Sequence, residues 1–247
     1  MDGTTDTHLV SGVARISQPS AADIAAVQAL APLSADLMIG CGPFEVPVAV
    51  VASKPALEQQ DSEEAQIARD FLAEDPWHGM GTVHAGGWML LARDDDTVVI
   101  GQRTGDVGLG AVVTLVRDGD RFEARNMGGW QLRPRNPSEH VEMTVSCTAH
   151  GNTVVTQWSC GQDLDGVPDR VYARVELLER PDAVHFLLLS APNPAVPPPT
   201  GWTVGTGRTE TAAFALSTPL GARRLFDNAR IPPPPMTIDI DGEIPSR

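Results

Sequence analysis

From Gly86 onward the apolar residues of this chain recur with a period of two, and no other feature restricts the fold as much. GGWMLLAR and TVVIGQR alternate on either side of the acidic turn Asp94-Asp95-Asp96. AVVTLVR and DRFEARN meet at Asp118-Gly119, a dipeptide that tolerates the positive φ of a tight hairpin turn. HVEMTVSCTA and NTVVTQWSC flank His150-Gly151-Asn152, and RVYARVELLE and AVHFLLLS flank Arg180-Pro181-Asp182. Side chains alternate between the two faces of a strand, so this rhythm predicts consecutive antiparallel hairpins in a twisted sheet or a sandwich.

Helical spacing is confined to the N-terminal third. Ser20 is placed to cap AADIAAVQAL, with Ile24, Val27 and Leu30 on one face and Pro32 as the stop. DSEEAQIARDFLAED, residues 61–75, begins with a capping-box pattern, Asp61 with Glu64, and sets Ala65, Ala68, Phe71 and Leu72 on one side. Between them VPVAVVA reads as a strand and SKPALEQQ as a polar linker. The expected class is α+β, mostly antiparallel β hairpins preceded by two short helices. The expected organisation is an N-terminal helix and strand segment over 1–60, a β-rich core over 61–230 and a Pro-rich acidic tail over 231–247.

Composition narrows the partners. The 247 residues include 32 acidic and 18 basic side chains, a formal net charge of −14. Such a field repels phosphate backbones, and no Lys/Arg stripe interrupts it, so nucleic acid is not an expected partner. No apolar run reaches the about 20 residues that span a bilayer. The N-terminal residues lack the basic and apolar regions of a signal peptide. Cys41, Cys147 and Cys160 are an odd number, which fits reduced thiols in the cytoplasm better than a disulfide framework.

Motifs for chemistry are sparse. There is no P-loop, HExxH or GxSxG pattern, and the Gly105, Gly108, Gly110 bend lacks the strand–loop–helix order of a dinucleotide site. His78 and His84 lie on a Gly-rich loop without further ligands nearby. Cys147, His150 and Cys160 offer three of the four ligands that zinc wants, and reduced thiols are the simpler reading. If the hairpin centres on Gly151-Asn152, Cys147 faces Thr156 and Cys160 faces Met143, so no direct disulfide joins the two. Asp163, Asp165 and Asp169 surround Gly166 as carboxylates do in a calcium loop, although Asp-Gly and Pro-Asp are also ordinary turn dipeptides. Trp77, His78 and Trp202 are the candidate ligand contacts; tryptophan more often serves the core. No cofactor is expected.

One segment carries a family resemblance. Phe71-Leu72, Gly87-Trp88, Asp118-Gly119, GGWQLRP and the corner from Pro219-Leu220-Gly221 through Arg223 to Asp227 resemble an uncharacterised family of actinobacterial proteins, many secreted or lipid-anchored. The resemblance covers residues 71–227 and implies architecture but no activity. Trp130 stands where that family has a cysteine, and the export signal is missing. In physical terms, Pro219 and Gly221 turn the corner, Leu220 and Leu225 pin it to the core, and Arg223 or Arg224 can reach a carboxylate such as Asp227.

Three function classes follow. The first is a non-catalytic binding or interaction module, engaging another protein or itself. The second is a structural or assembly subunit of a larger particle such as a virion. The third is a hydrolase or lyase whose residues are scattered along the chain. The Pro197–Pro199 and Pro232–Pro235 runs read as spacers. As docking arms they would add Ile238 and Ile240 to a neighbouring subunit's sheet edge.

Overall fold

The computed structural model describes residues 6–9, 14–17, 19–41, 44–74, 86–104, 108–128, 131–134, 136–162, 166–196 and 207–240. The fold is mostly antiparallel β sheet with a few short helices. The chain divides into two compact units: Met1–Leu30 with Ala35–Leu132, and Ala31–Ser34 with Arg133–Arg247. The division falls inside the 61–230 span that the sequence suggests is one core. No helix among the described residues is long and apolar enough to cross a membrane.

In the first unit the elements are β1 (Asp6–Leu9), β2 (Ala14–Ser17), α1 (Ala21–Leu30), β3 (Met38–Cys41), β4 (Phe44–Pro47), α2 (Val48–Ser53), a 3₁₀ turn (Leu57–Gln59), α3 (Glu63–Ala73), β5 (Trp88–Arg93), β6 (Thr97–Thr104), β7 (Gly108–Asp118), β8 (Arg121–Gly128) and β9 (Gln131–Arg133). Six strands form one sheet in the order β1-β2-β5-β6-β7-β8, and β4-β3-β9 form another. The two hairpins expected at Asp94–Asp96 and Asp118-Gly119 are present, and Gly119 takes φ +63°. Ala65 and Ala68 of α3 pack with Leu57 against Trp88, Val98, Ile100, Val113 and Leu115 of the sheet.

Two local expectations are corrected. The strand predicted over VPVAVVA ends at Pro47, and Val48–Ser53 is helical. A short, fully buried apolar run has no polar alternation to distinguish strand from helix. The Arg103 guanidinium donates to the carbonyls of Val51 at 2.8 Å and Lys54 at 2.6 Å, satisfying groups at the helix end. The cap of α3 is Ser62, whose Oγ accepts from the Ala65 amide at 3.1 Å, so the Asp61 capping box is displaced by one residue. Ser20 does cap α1 reciprocally with Asp23. Of the expected apolar face of α1, Val27 is buried while Leu30 is exposed.

The second unit is a sandwich. Its elements are β10 (His140–Glu142), β11 (Thr144–His150), β12 (Thr153–Cys160), β13 (Arg170–Glu179), β14 (Ala183–Pro192), β15 (Arg208–Ala215), β16 (Arg224–Asp227) and β17 (Ile238–Ile240). One sheet runs β10-β14-β13 with β16 also on β14, and the other runs β15-β12-β11-β17. The stretch read as one strand, HVEMTVSCTA, changes sheets at Met143. Val184 and Phe186 of β14 meet Cys147, Ala149, Val154 and Phe214 of the other sheet, and Leu188 meets Trp158, Cys160 and Ala212. Even-numbered residues of β14 therefore face the interior of the sandwich. The Phe186 and Phe214 rings lie 5.5 Å apart, tilted, within the favourable range for aromatic pairs.

The C-terminal strand corrects the reading of the Pro-rich tail as a spacer or an intersubunit arm. Ile238–Ile240 pairs in parallel with Cys147–Ala149 of the same chain, and the Met236 amide donates to the Leu225 carbonyl at 2.8 Å. The prolines deliver an edge strand to their own sheet.

Candidate functional site

The richest polar cluster of the second unit lies where β10, β13 and β14 run side by side. His140 and Tyr172 are the Cα partners of Ser190 on either side. Period two places Glu142, Ser190, Arg170 and Tyr172 on the interior face, beside Trp158 and Cys160. Glu142 Oε1 accepts from Ser190 Oγ and from Arg170 Nη1, both at 2.5 Å. Arg170 also contacts Asp169 through Nε at 3.4 Å, and its guanidinium sits 5.9 Å over the Trp158 ring.

Burial dominates the electrostatics here. It pushes the Glu142 carboxyl up, even though Ser190 and Arg170 pull it down. It holds His140 below the usual imidazole range, with the Arg170 and Arg133 charges acting in the same direction and Asp169 opposing. Burial raises the Cys160 thiol and drives the Cys147 thiol up to about 12, with Asp227 contributing. Thiols so protonated are poor nucleophiles. Ser190 is fully buried and its hydroxyl donates a hydrogen bond to Glu142. Serine here is a structural donor and Glu142 a charge neutraliser for Arg170. The Trp158 Nε1 meets no acceptor among the described residues.

The acidic turn is held by its own backbone and side chains. Asp169 N donates to Gly161 O at 3.0 Å, Asn193 N donates to Asp169 O at 2.8 Å, and Asn193 Nδ2 donates to Pro168 O at 2.8 Å. A Cβ on Gly161 would lie 2.7 Å from Asp169 Oδ2, so glycine lets that carboxylate approach the chain. The Asp169 carboxylate thus faces Arg170. Asp163 and Asp165 lie outside the described residues, as do Trp77, His78 and Trp202. Among the described residues no group of three or more His, Cys, Asp or Glu is placed to hold a metal ion.

The C-terminal corner is assembled differently from the sequence expectation. Leu220 and Leu225 enter the core, and Gly221 takes φ +56°. Arg223, however, pairs with Glu179 at 2.8 Å, and donates to the carbonyls of Thr218 at 2.7 Å and Pro219 at 3.1 Å. Glu179 also accepts from the Ser217 amide at 2.6 Å. Arg224 lies over the Phe226 ring. Neither arginine takes Asp227, which is fully buried and accepts from the amides of Thr144 and Ala229, each at 2.9 Å.

The outward face of the β15-β12-β11 sheet has a different character. Its cross-strand rows read Thr211–Gln157–Ser146, Ala213–Val155–Thr148 and Ala215–Thr153–His150. Ser146 Oγ donates to Gln157 Oε1 at 2.9 Å. Ser146, Gln157, Thr211 and Ala213 are exposed. His150 is the one ionisable residue in these rows; Asp239 follows at the β17 edge as the Cα partner of Thr148. The register of this hairpin, Cys147 opposite Thr156, is the one the sequence predicts. Cys160, expected opposite Met143, pairs instead with Arg208 of β15, and both cysteines are free thiols.

Comparison with protein families, curated proteins and solved structures finds no match to this chain.

Proposed function

We propose that the protein is a non-catalytic interaction module that engages another polypeptide surface through the second sheet of its C-terminal unit. The observation that carries this reading is the row structure of the outward face. In a chain of net charge −14, the three rows hold hydroxyls, an amide, methyl groups and a single imidazole. Depletion of charged residues at the centre is one of the compositional marks of an interface. The polar cluster at Glu142 supports the same reading, because its serine and carboxylate already satisfy one another and Arg170.

Hydroxyl-radical footprinting tests this reading directly. Protein in extract of its source cells should show Gln157 and His150 protected relative to dilute purified protein, while Pro181 at the β13–β14 turn stays reactive. Equal labelling of Gln157 and His150 in both samples would remove the face as an interaction surface.

A further inference from the structure

We infer that β15 is a self-association edge, on which a second copy of this chain adds its own β15 in antiparallel register. The inference goes beyond the reading of the outward face: it concerns the edge of the same sheet and leaves that face open. An edge strand leaves a row of backbone donors and acceptors outside its sheet, and folded proteins usually blunt such rows with bulges, charges, proline or brevity.

The other edges of this unit carry such devices. β13 has a register shift between Tyr172 and Arg174 and presents Arg174 and Glu176. β17 has three residues and follows a proline run. β15 has no shift, proline or shortness among the described residues, and its charges, Arg208 and Glu210, are confined to one end. It pairs with β12 over eight consecutive partners, Thr153↔Ala215 through Cys160↔Arg208, without a shift. The strand reads RTETAAFA, with no proline or lysine.

The order of charges along β15 selects a second copy. Arg208 and Glu210 lie at one end and neutralise each other in an ion pair at 2.6 Å, and Arg208 also donates to Gly166 O at 2.7 Å. The other end, from Ala212 to Ala215, is uncharged. Directly opposed residues share a face, so a two-fold axis must pass through a residue, Thr211 or Ala212. About Thr211, Glu210 opposes Ala212 and Thr209 opposes Ala213. About Ala212, Glu210 opposes Phe214 and Thr211 opposes Ala213. On either axis the charged end of one copy lies beside the uncharged end of the other, and no like charges stand directly opposite. The interface is isologous, as closed dimers require, and the uncharged outward face continues across it.

Sedimentation equilibrium of the full chain, with hydrogen exchange on the same samples, decides the matter. The wild-type chain should form a dimer that dissociates on dilution, and the β15 amides from Thr209 to Ala215 should exchange more slowly in the dimer. Thr211→Lys with Ala213→Lys adds charge at exposed positions and should raise the dimer dissociation constant by roughly tenfold or more, a loss of about 1.4 kcal/mol or more. Ala173→Lys on β13 should leave it unchanged, which separates edge pairing from general repulsion. A chain that stays monomeric at every concentration overturns the inference. So does a dimer whose β15 amides exchange as fast as the monomer's. If a different polypeptide protects Gln157 and His150 while the chain does not self-associate, the second-copy inference fails and the interaction reading stands. If neither self-association nor such protection occurs, both fail.

Discussion

The carboxylate of Asp227 accepts the backbone amide of Thr144 at 2.9 Å, joining two residues 83 positions apart. The bond sits at a seam. β10 and β16 lie along the same edge of β14, β10 against Leu188–Ser190 and β16 against Ala183–Phe186. Where β16 ends, Asp227 takes the amide that follows β10 and, through its other oxygen, the amide of Ala229. One buried carboxylate thus closes the gap between two strands that share an edge. Replacing it with Asn presents an amide group to a backbone donor and leaves that donor unsatisfied, a cost of roughly 1–3 kcal/mol. Urea unfolding of Asp227→Asn should show this loss at neutral pH; a midpoint equal to wild type would mean the seam does not depend on Asp227.

Arg223 is the second load on the corner. Its guanidinium spans Glu179 and the carbonyls of Thr218 and Pro219, and its side chain is 11% exposed. A planar fork fits this spread of acceptors where a lysine ammonium does not. Arg223→Lys should therefore lose about 1–2 kcal/mol and Arg223→Ala about 2–3 kcal/mol in chemical denaturation. Full recovery by lysine would reduce the role to charge alone.

One buried and one half-buried imidazole, His185 and His140, predict an acid limb in stability. His185 and His140 are both held below the usual range near 6.5, burial being the first cause in each. Asn228 Nδ2 lies 3.3 Å from His185 Nδ1, an acceptor when the ring carries its proton on Nε2. A lowered folded pKa means the unfolded chain binds protons first on acidification. The stabilisation is complete above the unfolded value and is lost as pH falls through the folded one. Glu142 and Asp227, both raised by burial, act in the opposite sense, favouring the fold on the acid side of their own titrations. Unfolding free energy should fall from pH 7.5 to 5.5, and by less in His185→Gln. An unchanged slope in that variant would remove His185 as a contributor.

The Cys147 and Cys160 thiols should be silent in the folded protein. Cys147 and Cys160 are each 3% exposed, and burial raises both pKa values. Labelling of either by a thiol reagent at pH 8 should proceed only as fast as the second unit opens, and should accelerate in urea. Labelling of Cys147 at the rate of a model thiol would contradict the burial.

Much of the β architecture is written locally. The Asp118-Gly119 and Gly151-Asn152 turns fix register by counting, which is why Cys147 opposite Thr156 can be deduced. What the sequence conceals has long-range causes. Val48–Ser53 is helical although its residues suit a strand, and the Arg103 contacts to its carbonyls come from about 50 positions away. HVEMTVSCTA looks like one strand because alternation does not reveal a change of partner at Met143. The Glu142 cluster draws on Arg170 and Ser190, 28 and 48 residues distant, and nothing in one dimension groups them. The uncharged face was legible in part: TQWS and TETAAFA already place small polar residues at alternate positions. Recognising it as one surface required the pairing of β15 with β12.

Native mass spectrometry of the protein isolated from its source most directly tests the claim that this chain works by binding another polypeptide. A stoichiometric protein partner is expected, lost when Gln157→Glu or Ser146→Asp, each made alone because the two residues are cross-strand partners, places charge on the outward face, with thermal unfolding unchanged. A monomer carrying no protein partner, or a complex indifferent to those two substitutions, would contradict it.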